Sequence, residues 1–271
     1  MPLAVCATPI GNLDDVTLRV LAELRVAETV LCEDTRRTRL LLERHGIATR
    51  LVSYHEHNEA ARTATLLPRL ERGERVALVS DAGLPAISDP GGRLVRAALD
   101  AGVPVTVLPG PSAVETALVA SGLVSERYQF VGYLPRRERE REALWVELAG
   151  WRWPVVAFES PQRLAASLAS LARVAPTRPV AVCRELTKRF EEIVRGSAVE
   201  LAQHFAEPPK GEVTLVVGAD EEREVDVVDA DAAAVAAIAE LVEAGVPRRR
   251  AVDVVARLTG VPRNRLYRAS L

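Results

Sequence analysis

The first 120 residues alternate between short β-rich apolar runs and longer runs with helical periodicity, and this alternation restricts the possible folds most strongly. The apolar runs are Leu3 to Ala7, Val76 to Ser80 and Val103 to Leu108, and the helical runs are Leu18 to Leu24, Thr38 to Arg44 and Ala60 to Leu70. Such alternation is typical of a parallel sheet covered by helices. We therefore predict an α/β fold.

Two helix starts are marked by a capping side chain followed by proline, at Asp89-Pro90 and at Ser160-Pro161. Proline is favourable at the first helical position, because the N–H that it lacks has no partner there. We therefore predict that a helix begins at Pro90 and another at Pro161.

A second series of apolar runs follows a change of composition at Ser121 to Arg127, where glycine and polar residues dominate. Its members are Tyr128 to Tyr133, Pro154 to Phe158, Pro179 to Cys183 and Val213 to Gly218. The sequence thus predicts two α/β domains, at residues 1–121 and 122–219.

The last 52 residues differ in charge from the rest of the chain, although the net charge of the whole is only −2. Residues 220–243 hold nine acidic residues and one arginine, whereas residues 245–271 hold seven arginines and one aspartate. A protein whose net charge is small can still have a strongly charged binding surface when its charges are distributed unevenly. We predict an acidic linker followed by a basic module.

Two short helices are expected in the basic module, because the tetrapeptide Gly-Val-Pro-Arg opens a helical pattern at Gly245 and again at Gly260. The predicted inward-facing residues are Ala251, Val254, Val255 and Leu258. Residues 220–271 are thus predicted to form an acidic linker and a helix-turn-helix-like extension. A small solvated helical cap is the alternative.

The apolar content excludes a disordered chain, and no apolar run approaches the roughly 20 residues of a membrane span. The longest, Ala232 to Ala239, is far shorter, and no basic targeting region precedes Leu3. We expect a cytoplasmic protein with no membrane partner. Cys6, Cys32 and Cys183 lie singly in apolar runs, which predicts buried, reduced thiols.

Three loops rich in glycine and proline directly follow predicted strands, at Thr8 to Asn12, Ser80 to Pro85 and Leu108 to Ser112. A structural turn explains any one of them. Ligands bind at the carboxyl ends of strands in open α/β sheets, so three such loops predict a pocket. The chain has neither a Walker A loop nor a Gly-x-Gly-x-x-Gly after a strand, which disfavours a phosphate-cradling enzyme.

Two charged strings also end predicted strands, at Glu33 to Arg37 and at Arg184 to Lys188. Capping a helix would use one carboxylate, so their clustered charges indicate a functional role. His55 and His57 are expected to open a helix, where side chains two residues apart diverge. We predict no metal site.

The ordered motifs resemble those of the tetrapyrrole-methylase superfamily, and within it those of the RsmI-type enzymes. The strings that carry the resemblance are Thr8-Pro9-Ile10-Gly11-Asn12-Leu13, Glu33-Asp34-Thr35-Arg36, Ser80-Asp81-Ala82-Gly83, Ile87-Ser88-Asp89-Pro90-Gly91, Leu108-Pro109-Gly110-Pro111, Phe158-Glu159-Ser160, Arg184-Glu185-Leu186-Thr187-Lys188, Lys210-Gly211-Glu212 and Asn264-Arg265-Leu266-Tyr267. They span essentially the whole chain. Leu84 stands where the family usually has threonine, which removes one hydroxyl.

The resemblance implies an S-adenosylmethionine-dependent enzyme that 2′-O-methylates a cytidine of 16S ribosomal RNA in the small ribosomal subunit. It also implies a homodimer and a cofactor cleft between the two domains. Carried over by motif, the cofactor-binding residues are Pro9, Ser80, Asp81, Leu84, Ser112, Ala113, Phe158, Glu159 and Leu186.

A ribose hydroxyl is a weak nucleophile at neutral pH and benefits from a group that takes its proton. We hypothesise that Asp34, Glu185 and Lys188 surround this hydroxyl, with Lys188 as a base whose pKa falls near the sulfonium. A purely structural ion pair between Lys188 and a carboxylate is the alternative.

Arginines are expected to supply the RNA contacts, because phosphates provide affinity. The candidates are Arg36, Arg37, Arg248, Arg249, Arg263 and Arg265. Two other functions remain open at this point. One is C-methylation of a small tetrapyrrole, which 4% aromatic residues and a basic tail do not favour. The other is a ribosome-assembly factor that binds RNA without catalysis.

Overall fold

A computed structural model describes residues 2–219, 233–259 and 261–270, apart from the side chain of Arg265. It contains two five-stranded sheets and a helical C-terminal unit. The predicted acidic linker lies for the most part outside the described residues.

The first sheet is entirely parallel, with the strand order β3-β2-β4-β1-β5. The strands are β1 (Leu3–Cys6), β2 (Thr29–Cys32), β3 (Leu51–Ser53), β4 (Val76–Val79) and β5 (Val105–Leu108). Leu3 pairs with Val76 on one side and with Val105 on the other. The central strands are buried along their whole length, which explains their unbroken apolar sequences. The parallel α/β prediction is confirmed.

Four helices follow the first four strands: α1 (Leu18–Val26), α2 (Thr35–Arg44), α3 (Glu59–Glu71) and α4 (Gly92–Asp100). Asp34 caps α2 by accepting a hydrogen bond from the backbone N–H of Arg36. The sequence predicted that Asp89 and Pro90 open a helix, which is wrong. Helix α4 begins two residues after Pro90, at Gly92, because residues 89–91 form a turn.

The second sheet is mixed, with the order β6-β7-β10-β8-β9. The strands are β6 (Gln129–Tyr133), β7 (Val155–Glu159), β8 (Pro179–Arg184), β9 (Glu192–Ser197) and β10 (Val213–Val217). Only β6 and β7 are parallel, and the other neighbours are antiparallel. Its helices are α6 (Glu138–Ala149), α7 (Pro161–Val174) and α8 (Ala198–His204). Pro161 is the first residue of α7, as predicted.

Helix α5 (Ala113–Ser121) joins the two sheets. It starts in the loop after β5, but its buried residues Val114, Ala117 and Leu118 share one apolar cluster with residues of the second sheet, such as Val156 and Ala181. By sequence it belongs to the first predicted domain, which ends at residue 121. By packing it belongs to the second sheet.

The C-terminal unit has an apolar cluster of its own. It contains α9 (233–243), α10 (Arg248–Thr259) and α11 (Arg263–Ala269). The cluster includes Ala251 and Val255, as predicted. Leu258 is 78% exposed, and Val252 is buried, so the inward face is rotated from the predicted one. Helix α10 therefore buries Val252, whereas Leu258, which was expected to face inward, is exposed to solvent.

All three cysteines are free and buried, as predicted. Across the part of the chain that the structure describes, no helix is long and apolar enough to cross a membrane.

Candidate active site

A cleft opens between the two sheets, at the carboxyl ends of β1, β4 and β5. It has two adjoining lobes. The larger lobe has a volume of about 590 Å³, within the usual range for small-molecule sites. Its lining comes from both sheets: Glu33, Arg37, Asp81, Ala82, Gly83, Leu84, Ile87, Ser88, Asp89, Ser112, Ala113, Val114, Tyr133, Phe158, Glu159, Ser160, Pro161, Gly211, Glu212, Val213 and Thr214.

The smaller lobe has a volume of about 240 Å³. It lies between the loop after β1 and helix α2, with Lys188 of the second unit on its other side. It is lined by Thr8, Pro9, Ile10, Gly11, Leu13, Arg37, Thr38, Leu40, Leu41, Ser80, Asp81, Ala82, Lys188 and Glu212. The three predicted glycine- and proline-rich loops therefore do contribute to one cleft.

Arg37, Asp81, Ala82 and Glu212 line both lobes and form the wall between them. Arg37 bridges this wall, because its Nε lies 3.7 Å from Asp81 Oδ2 and its Nη1 lies 3.9 Å from Glu212 Oε1. Asp81 also accepts a hydrogen bond of 3.0 Å from the backbone N–H of Asp34. The wall is thus a charged bridge between α2 and the start of β10.

Carboxylates concentrate in the larger lobe. Burial raises the pKa of Asp89 to about 6, and the neighbouring Glu33 and Asp81 add to the shift. Burial, followed by the charge of Asp81, also raises the pKa of Glu33. Closely spaced carboxylates repel one another when they are ionised, and a cation among them relieves that repulsion. The larger lobe therefore favours a cationic ligand.

Lys188 is held between two carboxylates. Its Nζ donates hydrogen bonds of 2.8 Å to Glu185 Oε1 and 2.9 Å to Glu212 Oε2. Burial alone would lower the pKa of Lys188, but these two hydrogen bonds outweigh it and the pKa is raised. The hydrogen bond from Lys188 in turn lowers the pKa of Glu185. Lys188 is therefore an ammonium group at neutral pH, and a lowering of its pKa near the sulfonium stays a prediction.

The loops around the cleft hold strained backbone. Four non-glycine residues of the described chain have positive φ angles, and all four lie in loops next to the cleft: Ala86 (71°), Ser88 (60°), Glu185 (51°) and Thr187 (64°). Such conformations cost free energy and often mark functional sites.

Residues 2–202 match the family described as Tetrapyrrole (Corrin/Porphyrin) Methylases. The chain belongs to the tetrapyrrole methylase family. Residues 229–271 match a second family, described as the RsmI C-terminal HTH domain, which confirms the predicted helix-turn-helix-like module. The resemblance read from the motifs is therefore confirmed at both ends of the chain.

Curated relatives from several bacteria are named ribosomal RNA small subunit methyltransferase I. The protein of Halalkalibacterium halodurans is 42% identical over 98% of this chain and 93% of its own length. That of Mesorhizobium japonicum is 43% identical over 99% of this chain and 91% of its own length. Within the tetrapyrrole methylase family, the chain thus belongs to the RsmI-type group.

Solved structures share the methylase fold at lower identity. Cobalt precorrin-4 methyltransferase is 20% identical, with a TM-score of 0.59, 80% of this chain covered and 94% of that chain. Uroporphyrin-III C-methyltransferase from Thermus thermophilus, complexed with S-adenosylhomocysteine, is 20% identical, with a TM-score of 0.56, 80% of this chain covered and 96% of that chain. At such identities the likeness shows the fold alone.

The residues expected to bind the cofactor of a methylase are divided between the lobes. Six of them line the larger lobe: Asp81, Leu84, Ser112, Ala113, Phe158 and Glu159. Pro9 and Ser80 line the smaller lobe, and Leu186 is buried in the apolar cluster around α5. The hydroxyl of Ser80 donates to the carbonyl groups of Ala82 and Gly83, at 3.2 and 3.1 Å. Ser80 therefore shapes its own loop.

Glu159 lines the larger lobe, but its side chain is fully buried and already bonded. It accepts hydrogen bonds from the backbone N–H of Ser160 and the hydroxyl of Ser167, and it pairs with Arg163. Its observed contacts join the end of β7 to α7. A contact of this carboxylate with the cofactor stays a prediction.

Of the three residues expected to carry out catalysis, the structure brings Glu185 and Lys188 together. Asp34 lines neither lobe, and its carboxylate accepts hydrogen bonds of 3.0 and 2.7 Å from Arg36. These side-chain bonds, with the backbone N–H of Arg36, lower the pKa of Asp34 to about 2. Asp34 is thus a weak base that is joined to the site through its backbone.

The sequence did not single out Glu212, Asp89 or Glu33 as site residues. Glu212 stands in a recognised motif, immediately before β10, and that position was the available signal. Asp89 was interpreted as a helix cap. The proximity of these carboxylates depends on tertiary structure, which no local pattern encodes.

His55 and His57 lie in a turn before α3, and the prediction that they open the helix is therefore wrong by two residues. Their ring centroids are 5.9 Å apart. In the described ranges, no group of three or more His, Cys, Asp or Glu residues is arranged to hold a metal ion.

The arginines expected to bind RNA differ in their exposure and in whether they already contact other residues of the protein. Arg36 is exposed beside the cleft, and Arg37 is part of the shared wall. In the C-terminal unit, Arg249 is exposed, whereas Arg248 donates to the carbonyl group of Ser270 and Arg263 pairs with Asp253. The side chain of Arg265 lies outside the described residues.

Proposed function

We propose that the protein transfers a methyl group from S-adenosylmethionine to the ribose 2′-hydroxyl of a cytidine in 16S ribosomal RNA. Near-full-length similarity to proteins named ribosomal RNA small subunit methyltransferase I supports the substrate. The observation that carries the proposal is the two-lobed cleft, because methyl transfer needs a donor and an acceptor held side by side.

The larger lobe suits the methyl donor. S-adenosylmethionine carries a cationic sulfonium and an ammonium group, and the lobe offers the carboxylates of Glu33, Asp81 and Asp89. Ile87, Val114 and Phe158 give it apolar surface for a purine ring. The donor supplies an electrophilic methyl carbon and a neutral thioether leaving group. The smaller lobe, at about 240 Å³, is below the usual size for such a ligand.

The chain's own residues position the reactants and accept the proton that the ribose hydroxyl releases. As the new C–O bond forms, the hydroxyl proton becomes strongly acidic, so a carboxylate of ordinary or low pKa can accept it. Glu212 lies in the shared wall, and Lys188 donates a hydrogen bond to it and a second one to Glu185, which lines neither lobe. We infer that one of them takes the proton and that Lys188 orients the pair and stabilises its charge.

Asp34 contributes by positioning its neighbours. Its carboxylate holds Arg36 in place, and its backbone N–H holds Asp81 in the shared wall. This role does not require Asp34 to accept a proton.

Phosphate contacts are assigned to the arginines of α2 and of the basic C-terminal unit. The 2′-hydroxyl, which DNA lacks, is the feature that would identify RNA. We further propose that the protein acts as a homodimer and, because its substrate is a ribosomal subunit, in the cytoplasm.

The test is methylation of 30S subunits from a strain that lacks this gene, with purified protein and S-adenosylmethionine, followed by mass mapping of rRNA nucleosides. We expect 2′-O-methylcytidine at one site. Donor binding measured by calorimetry without any rRNA product would overturn the proposed acceptor. Absence of donor binding would instead favour a non-catalytic assembly factor, and turnover of a tetrapyrrole would favour the small-molecule methylase.

A further inference from the structure

We infer that the smaller lobe receives the base of the acceptor nucleotide, flipped out of the RNA and covered by Leu13 and Leu40. This inference rests on the proposed function, which requires an RNA acceptor. It adds the position of the acceptor and the residues that hold it.

Leu13 and Leu40 line the smaller lobe, yet they are 37% and 60% exposed. Ile10 and Pro9 continue the apolar surface inward. Contact between water and exposed leucines at the opening of a concave site is unfavourable. A flat ring that covers these leucines removes apolar surface from water, which stabilises the bound state. Enzymes that do chemistry on a base extrude it and hold it between aromatic or apolar side chains. The same contact would hold the base of a nucleotide whose ribose reacts.

The charge around Leu40 matches a nucleic acid. Helix α2 has ten residues, of which four are arginines: Arg36, Arg37, Arg39 and Arg44. Leu40 lies three or four residues from Arg36, Arg37 and Arg44, so these side chains neighbour it on the helix surface. An apolar residue surrounded by guanidinium groups can contact a base while its neighbours contact the flanking phosphates.

The position of the smaller lobe meets the geometric requirement of methyl transfer. It shares a wall with the larger lobe, Glu212 stands in that wall, and Lys188 lines the smaller lobe and donates a hydrogen bond to Glu212. A base in the smaller lobe would therefore bring its ribose to the wall, opposite a donor in the larger lobe. Reacting atoms must approach to about 3–3.5 Å, which adjoining lobes permit.

The test compares Leu40→Ser with Leu99→Ser, in full-length protein. Leu99 is a matched control, because it is 57% exposed and lies near the end of α4, away from the lobes. We expect Leu40→Ser to raise KM for 30S subunits about tenfold. The Kd for S-adenosylmethionine should stay within about twofold of wild type, and Leu40→Met should restore KM.

Two results would overturn the inference. One is a KM for Leu40→Ser equal to that of Leu99→Ser, and the other is a parallel loss of donor affinity, which would assign the smaller lobe to the donor. Equal melting temperatures of the variants exclude a folding defect. Failure of the wild type itself to methylate 30S subunits would reject the proposed function instead.

Discussion

Gly11 and Lys188 touch across the cleft, so closely that a Cβ atom on Gly11 would lie 2.5 Å from Cγ of Lys188. The same Cβ would lie 2.6 Å from the carbonyl oxygen of Leu186. The loop after β1 therefore rests directly on the loop that holds Lys188. Glycine is required here by close approach between the two units.

Gly11→Ala should displace Lys188 without removing any polar group. Because a misplacement of about 1 Å at a reacting centre can cost about 100-fold in rate, we expect kcat to fall by roughly that factor. Donor affinity should change little. Gly92→Ala is the control, since its Cβ would meet only Ala86, at an ordinary 4.0 Å. Equal kcat for both variants would contradict the prediction.

Lys188→Ala should lower kcat about 100-fold, because Glu185 and Glu212 would lose the cation that orients them. Steady-state kinetics on 30S subunits, together with calorimetry for the donor, measures the effect. Lys210, the chain's other lysine, is exposed and provides the matched control as Lys210→Ala. Wild-type kcat in the Lys188 variant would leave a structural ion pair as the only role of this residue.

Donor affinity should depend on pH through Asp89. Burial raises the pKa of this carboxyl group to about 6, so the ligand-free protein releases the proton only near that pH. A cation binds the ionised form better, and affinity should therefore rise up to about tenfold between about pH 5 and pH 7. Asp89→Asn should flatten this rise, whereas exposed Asp100→Asn should not. Calorimetry at three pH values distinguishes the two.

Glu159→Ala should destabilise the fold by about 3 kcal/mol, because it leaves Arg163 and Ser167 without their buried partner. Urea unfolding gives the free energy directly. Glu147→Ala, on the exposed side of α6, is expected to change it by less than about 0.5 kcal/mol. If Glu159→Ala unfolds like the wild type but loses donor affinity, the residue is a binding group.

The basic C-terminal unit should contribute to RNA affinity and to its salt dependence. Arg249→Gln with Arg257→Gln removes two exposed positive charges, so binding to 30S subunits should weaken and the slope of log K against log salt should fall by about 1.5. Arg62→Gln with Arg96→Gln, on α3 and α4, is the matched control. A truncation after Gly218 should weaken RNA binding further. Unchanged 30S affinity in the truncated protein would refute an RNA-binding role.

Much of the fold follows from local patterns. The apolar strands of the first sheet and the loops after β1, β4 and β5 were predictable because burial on both faces and sharp turns leave clear signals. Strand β9 was missed, since its half-exposed sequence from Glu192 to Ser197 lacks an apolar run. The rotation of α10 that exposes Leu258 was also missed, because neighbouring apolar positions compete for one inward face.

The site was only partly predictable for a different reason. Motifs located Glu185 and Lys188 in one string, so their pairing is local. The third member of that cluster, Glu212, is 24 residues further along the chain and reaches Lys188 only because β10 pairs with β8. The hydrogen bonds to Glu185 and to Glu212 both raise the pKa of Lys188, and the charged string alone could not reveal the second of them.

Helix α5 begins at the loop after β5 but packs against the second sheet, and this arrangement decides where the chain can be cut for domain exchange. A chimaera that receives its second unit from another methylase should join the parts before Ser112, so that the helix travels with the sheet it packs against. A junction after Ser121 would pair α5 with a foreign sheet and leave Val114, Ala117 and Leu118 mismatched. Recombination libraries in this family should therefore place their crossover inside residues 109–111.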